Sequence, residues 1–298
     1  MNIFILTDLE GISGVTSIKC VDNSSDEYAY ACRRLEESLN FAADVCRKNG
    51  AENIYYLDGH GGGGNIKPEN IVPYAIKTDI RDWQKLISGG KIDFQIELGS
   101  HARAGTLGGF LDHTISSARW FSYKINGKEF SELGIHAVFC GAYGVPIAMC
   151  SGDETACAQA KEYVPEIITA PVKKAKCRNM CFDYPDADKI LEDAIVKAVK
   201  NYKEIKPLSI SYPANIELTY YRSDMCEEDL SKCTGNAVRV GARTLKKTVV
   251  ERHDFLGLLS ENFKKVIAVS GTHGKTTVTS LIAAILKNAG KKFTAHIG

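Results

Sequence analysis

No apolar run in this 298-residue chain approaches the ~18 residues a membrane-spanning helix requires, so no membrane partner is expected. The first residues carry no basic stretch ahead of an apolar core, so no signal peptide is expected either. An excess of either charge is also lacking. Lys and Arg number 37 against 36 Asp and Glu, and a net charge of +1 gives no basis for nucleic acid as a partner. There is no C-x-x-C pair among the ten cysteines. Cys177 and Cys181 come closest, four apart, and no second pair completes a zinc cage. Scattered thiols of this kind read as reduced and mostly buried, in a cytoplasmic protein. Histidine is scarce, with seven in the chain, so the place of each is informative.

What is present is ordinary for a globular protein: 44% hydrophobic and 24% charged residues, long enough to bury a large core. Strand signals alternate with helix signals. NIFILT (2–7), NIYYLD (53–58), FQIELGSH (94–101), VPIAMCSG (145–152) and a stretch near 166–173 read as strands. Residues 26–49, 131–143, 153–163 and 186–202 read as helices, the first closed by Gly50. SYKINGKEF (122–130) reads as a hairpin about Asn126-Gly127, and 207–221 as β-rich. This interleaving predicts an α/β layered fold, a largely parallel central sheet flanked by helices.

In such sheets sites collect beyond the carboxyl ends of the strands. Asp8 and Glu10 in ILTDLEGISG follow the first strand, His60 in LDGHGGGGN the second, and His101 in ELGSHARAG a third. His113 in FLDHTIS and Glu132 in FSELGIH follow. Asp8, Glu10, His60, His101 and Glu132 form a mixed carboxylate–imidazole set of the kind that suits zinc or a related divalent ion. Five ligands exceed one tetrahedral site and fit two ions sharing a carboxylate, an arrangement that polarises a carbonyl and generates hydroxide at neutral pH. On the residues alone, each histidine reads equally as a structural hydrogen-bonding group. The glycines after His60 lack phosphate-loop spacing and read as a flexible rim; Arg103 reads as a surface ion-pairing group or a contact for a substrate carboxylate.

TDLEGISG, LDGH, GSHARAG, LDHTIS and SELGIHA, in this order and spacing, resemble the zinc-dependent D-aminopeptidase family, the DppA-like peptidases, from Met1 to about residue 250. The resemblance implies two zinc ions per subunit bridged by Asp8, with Glu10 and His60 completing one and His101 and Glu132 the other. It makes His113 a catalytic histidine outside the ligand set. It further implies release of N-terminal D-residues from short peptides such as D-Ala-D-Ala, and a homo-oligomer built as a decamer of stacked pentameric rings.

A second signature stands at residues 265–280, KVIAVSGTHGKTTVTS. An apolar strand, a glycine-rich turn and a helix make a phosphate cradle in which Gly271, Gly274, Lys275 and Thr276 would meet ATP and Mg2+. Val269 stands where the full motif has its first glycine. The segment 251–298 resembles the ATP-binding part of Mur ligases, closest to UDP-N-acetylmuramate–alanine ligase. Too short to close a nucleotide site alone, it is expected to be a truncated fusion or the start of a longer one. The division expected is therefore a 1–250 peptidase-like domain and a 251–298 P-loop appendage. Competing readings keep the metal site with another amide or phosphoester substrate, make the protein a non-catalytic metal-binding ring, or make it part of an ATP-dependent ligase.

Overall fold

The structure is a computed structural model that describes residues 1–233, 236–250 and 275–288. Chain contacts divide it into two compact units, Met1–Val249 and Val250–Gly298. In the first unit the elements run β1 (Asn2–Thr7), α1 (Asp26–Lys48), β2 (Asn53–Asp58), β3 (Ala75–Lys77), α2 (Ile80–Ser88) and β4 (Phe94–Ser100). β5 (Trp120–Ile125), β6 (Lys128–Glu129), α3 (Glu132–Gly141), β7 (Ile147–Asp153), α4 (Glu154–Tyr163), β8 (Ile168–Cys177), β9 (Met180–Asp183) and α5 (Ala187–Asn201) follow. The unit closes with β10 (Ala214–Tyr220), α6 (Ser223–Lys232), β11 (Val238–Gly241) and β12 (Thr244–Val249). In the second unit a helix, α7 (Lys275–Asn288), is described. Of the four expected phosphate-cradle residues, Lys275 and Thr276 open α7, while Gly271 and Gly274 lie outside the described residues.

The expected parallel sheet is present. Seven strands lie in the order β3-β2-β1-β4-β7-β8-β9, parallel except for β9 on the edge. β4 and β7 are buried at every position, as expected of central strands with both faces of the sheet covered, although β4 carries Gln95 and Glu97 and β7 ends in Asp153. α1 starts at Ser25, whose side chain accepts from the amide of Glu27, and lays Leu35, Leu39, Ala42, Ala43 and Cys46 into the core. A second, antiparallel sheet has the order β11-β12-β10-β5-β6. Its β5–β6 turn is the hairpin expected, with Asn126 and Gly127 at φ 50° and 81°, the pair of positive values a two-residue turn demands.

Some expectations narrow. The strand within 207–221 is confined to β10, since Pro207 and Pro213 have no amide to give a ladder. α2 is only nine residues long and buries just Trp83 and Ile87, too little for its period to stand out in the sequence.

Strand order fixes the functional edge. The chain moves from β1 to β2 and β3 on one side, then returns to β4 on the other, so the order of strand addition reverses between β1 and β4. The loop leaving β1 passes close beneath that reversal: the Gly11 amide donates to the Gly99 carbonyl at 2.7 Å. A Cβ on Gly11 would sit 2.3 Å from Gly99 C and Ser100 O, inside backbone that cannot move aside without bending β4. Gly11→Ala is therefore expected to destabilise the fold by about 1–3 kcal/mol, read as a lowered melting temperature. An unchanged melt would show that this approach is not tight.

Candidate metal centre

β2, β1 and β4 are neighbours in that order, and their carboxyl ends carry His60, Asp8 and His101. Parallel strands lie about 4.8 Å apart, so the central Asp8 has a histidine on either side. Its two oxygens divide between them, Oδ1 at 3.2 Å from His60 Nδ1 and Oδ2 at 3.3 Å from His101 Nε2. Glu10, buried two residues on, places Oε2 at 2.9 Å from the same His60 nitrogen. Glu132 comes from the first turn of α3, where a carboxylate is favoured by the helix dipole, and sets Oε1 at 3.2 Å from His101 Nε2. All five residues expected as ligands thus meet at one edge.

The histidines are oriented by backbone. His101 Nδ1 donates to the Ala102 carbonyl at 3.0 Å, so the neutral ring carries its lone pair on Nε2. Nε2 is buried and, despite the two carboxylates beside it, makes no hydrogen bond. A buried nitrogen is rarely left so without a ligand to receive it. His113 stacks on His101 with ring centroids 3.9 Å apart and planes 8° from parallel. Its Nδ1 donates to the Leu111 carbonyl at 2.8 Å, and its Nε2 lies 3.7 Å from Glu132 Oε1. Leu111 and Ile115, on either side, adopt φ 49° and 58°, strained values for bulky side chains and a mark of a loop held in place. Glu132 Oε1 also accepts from the Ile115 amide at 2.6 Å, tying that loop to α3.

The donor set suits a divalent ion. Atoms bound tetrahedrally at about 2.0–2.1 Å stand about 3.3 Å from one another. The four nitrogen–oxygen separations at His60 and His101 run from 2.9 to 3.3 Å. Two clusters of ligand atoms emerge, Asp8 with Glu10 and His60, and His101 with His113 and Glu132. Electrostatics agree. Burial opposes charge on His60, but bonds to Asp8 and Glu10 prevail and push it up to about 11. Burial likewise opposes charge on His101, yet Glu132 and Asp8 hold it well above its usual value. Asp8 and Glu132, although partly buried, are held below the ordinary carboxylate range, Asp8 by His60 and Glu132 by His101.

The remaining expectations fall around this centre. Gly61 to Gly64 form an exposed turn with positive φ throughout, anchored where buried Asp58 accepts from the amides of Asn65 and Ile66. Arg103 pairs with Glu162 at 3.1 Å and Glu129 at 3.6 Å, the surface role rather than a substrate contact. Sequence reading missed a network beneath the site. His136 stands one helical turn after Glu132, with Nδ1 at 3.1 Å from the buried Glu97 carboxylate. Gln95 donates to Glu97 and accepts from Trp83, so α3, α2 and β4 are joined. The i, i+4 spacing of Glu132 and His136, and a carboxylate inside a buried strand, were the available signals.

Three comparisons bear on this geometry. The profile of Peptidase M55, D-aminopeptidase, matches residues 1–260. The chain belongs to the D-aminopeptidase family. The D-aminopeptidase of Bacillus subtilis (strain 168) is 30% identical over 215 residues, 70% of this chain and 77% of that protein. The solved structure described as "Zn-dependent D-aminopeptidase DppA from Bacillus subtilis, a self-compartmentalizing protease" shares the fold with a TM-score of 0.76. It is 22% identical, and the match covers 89% of this chain and 100% of that one. A UDP-N-acetylmuramate–L-alanine ligase of Caldicellulosiruptor bescii is 48% identical over 63 residues, which are 21% of this chain but only 14% of the ligase. The first unit is thus that of a family of metallopeptidases, and the resemblance of its motifs is borne out.

The network under this D-aminopeptidase site has a pH signature. Burial opposes charge on His136, but Glu97 raises its pKa above the ordinary histidine value. A raised folded value contributes stability that is complete below about pH 6.5 and lost as pH climbs through the folded value. Glu97→Gln removes the charge that sustains it and is expected to cost about 1–3 kcal/mol at pH 6, and less at pH 9. Urea denaturation at both pH values measures this; an equal loss at each would mean that His136 is neutral.

Proposed function

We propose that this chain hydrolyses short peptides with N-terminal D-residues, D-Ala-D-Ala among them, at a dinuclear zinc site. Asp8, Glu10 and His60 would hold one ion, and His101 and Glu132, with Asp8 between the two sets, would hold the other. The observation that carries this is His101 Nε2, buried without a hydrogen bond and flanked by Asp8 and Glu132. Family membership and the zinc dependence named for the fold neighbour support the choice of metal and reaction.

Bound zinc supplies Lewis acidity toward the peptide carbonyl and lowers the pKa of water. The protein groups do the rest. His113, with its proton fixed on Nδ1 by Leu111, presents a free Nε2 to the pocket. There it takes a proton from the attacking water and returns it to the leaving amine. The stacked His101 ring keeps His113 from turning away.

Assembly as a stacked decamer is part of the same proposal, supported by the self-compartmentalizing description of the neighbour. All ten cysteines are free, seven of them buried, which fits a cytoplasmic protein. For residues 251–298 the ligase relatives support a phosphate-binding ancestry through Gly271, Gly274, Lys275 and Thr276, with ATP and Mg2+ as the ligands of such a segment. Ligase activity does not follow from a match to 14% of a ligase.

The test is release of alanine from D-Ala-D-Ala and L-Ala-L-Ala, each with zinc and with chelator, alongside metal content. Zinc-dependent cleavage of the D-peptide alone is expected, with two ions bound per chain. His113→Ala is expected to cut turnover about 10²–10⁴-fold with both ions retained. Cleavage that survives chelation would remove the metal from the mechanism, and full activity of His113→Ala would remove that histidine.

A further inference from the structure

A lysine with no exposed surface lies behind the centre, on β8. Lys173 Nζ donates to three backbone carbonyls of one loop: Glu10 at 3.0 Å, Val15 at 2.6 Å, and Ile12 between them. An ammonium has three donors, and all are spent on the segment that carries Glu10. Burying a cation this completely is costly without compensation. Compensation comes from those carbonyls, from the face of Phe110 with its centroid 5.3 Å away, and from Asp183, its register partner on β9. Asp183 reaches the same loop, accepting the Gly14 amide on Oδ2 at 2.6 Å. The Cys181 amide donates to the Thr16 carbonyl at 3.0 Å. The loop from Asp8 to Val15 has no regular secondary structure, so its shape depends on such outside contacts.

We infer that Lys173 is a positioning residue for the metal ligands, fixing the Glu10 carboxylate opposite His60 by gripping the loop backbone from behind. This rests on the ligand roles proposed for Asp8 and Glu10, and it adds that the loop is shaped before any ion arrives. Lys173 touches neither ligand side chain. Its effect passes through the Glu10 carbonyl, one residue's backbone away from the carboxylate at 2.9 Å from His60 Nδ1.

Two measurements test it. The first is amide hydrogen exchange of the whole wild-type chain stripped of zinc. The Gly11 and Gly14 amides, bonded to Gly99 O and Asp183 Oδ2, should be protected to within roughly tenfold of β1 amides. Free exchange there, with protection appearing only on adding zinc, would overturn the inference. The second is zinc retention against graded chelator in Lys173→Met. Ile87→Ala, a core truncation on α2, serves as a control for general destabilisation. Loss of an outer-shell partner typically weakens metal binding about 10–100-fold, and that shift is expected in Lys173→Met but not in Ile87→Ala. Excess zinc should restore most of its turnover. Equal retention in wild type and Lys173→Met would overturn the inference, as would an equal shift in the control. A wild-type protein that takes no zinc would overturn the metal assignment itself, which the exchange experiment does not presuppose. Should Lys173→Met fail to fold, Lys173→Gln, which keeps two of the three donors, takes its place in the chelator titration, with a smaller shift in the same direction expected and equal retention overturning the inference.

Discussion

Three carboxylates, Asp8, Glu10 and Glu132, are brought within reach of two histidines at one end of a buried parallel sheet, and the rest of the structure answers that concentration of charge. Like charges in a pocket of low dielectric repel strongly unless cations or donors stand between them. His60 and His101 stand there, one on each side of Asp8, because β1 lies between β2 and β4. The strand order is therefore not only a scaffold but the device that separates the negative groups with imidazole. A divalent ion in each gap, as proposed, would complete what the histidines begin.

Much of this was legible in the sequence because the signal lay at strand ends. An apolar run followed at once by Asp or His is easy to see, and NIFILT-D, NIYYLD-G-H and FQIELGS-H each show it. The parallel sheet followed from the same alternation. What stayed hidden was support arriving from far along the chain. Lys173 lies in ITAPVKKAKC, where nothing local separates a fully buried lysine from its exposed neighbour Lys174. Its partners are more than 150 residues away, and no period or spacing encodes such a contact. Glu97 is hidden for the opposite reason: it sits inside a strand-like run, FQIELGSH, and its partner His136 lies in SELGIHA nearly forty residues on, where no spacing links the two. Short elements such as α2 were missed because two buried residues do not establish a helical period.

The second signature shows the limit of a motif without its surroundings. GTHGKTT has the spacing to cradle phosphate, and α7 starts at its lysine. A phosphate cradle works by aiming backbone amides from a turn that a full sheet holds in place. The ligase relative matches this chain over only a seventh of its own length. The first unit, by contrast, carries each of its candidate ligands within one sheet edge and the helix beside it, so its chemistry can be argued from its own residues.

Proton placement is the most economical feature of the centre. His101 and His113 both donate Nδ1–H to main-chain carbonyls, of Ala102 and Leu111. Backbone carbonyls accept and never donate, so the tautomer of each ring is set by the chain path rather than by the ligand that arrives. Both free Nε2 atoms then face Glu132, one at 3.2 Å and the other at 3.7 Å. The surroundings of the two rings differ. His101 is almost wholly buried and lies against two carboxylates. His113 is more open and meets Glu132 alone of the three carboxylates. Under the roles proposed for them, the buried nitrogen would serve the ion and the open one the proton, a division that rests on the backbone hydrogen bonds of two loops.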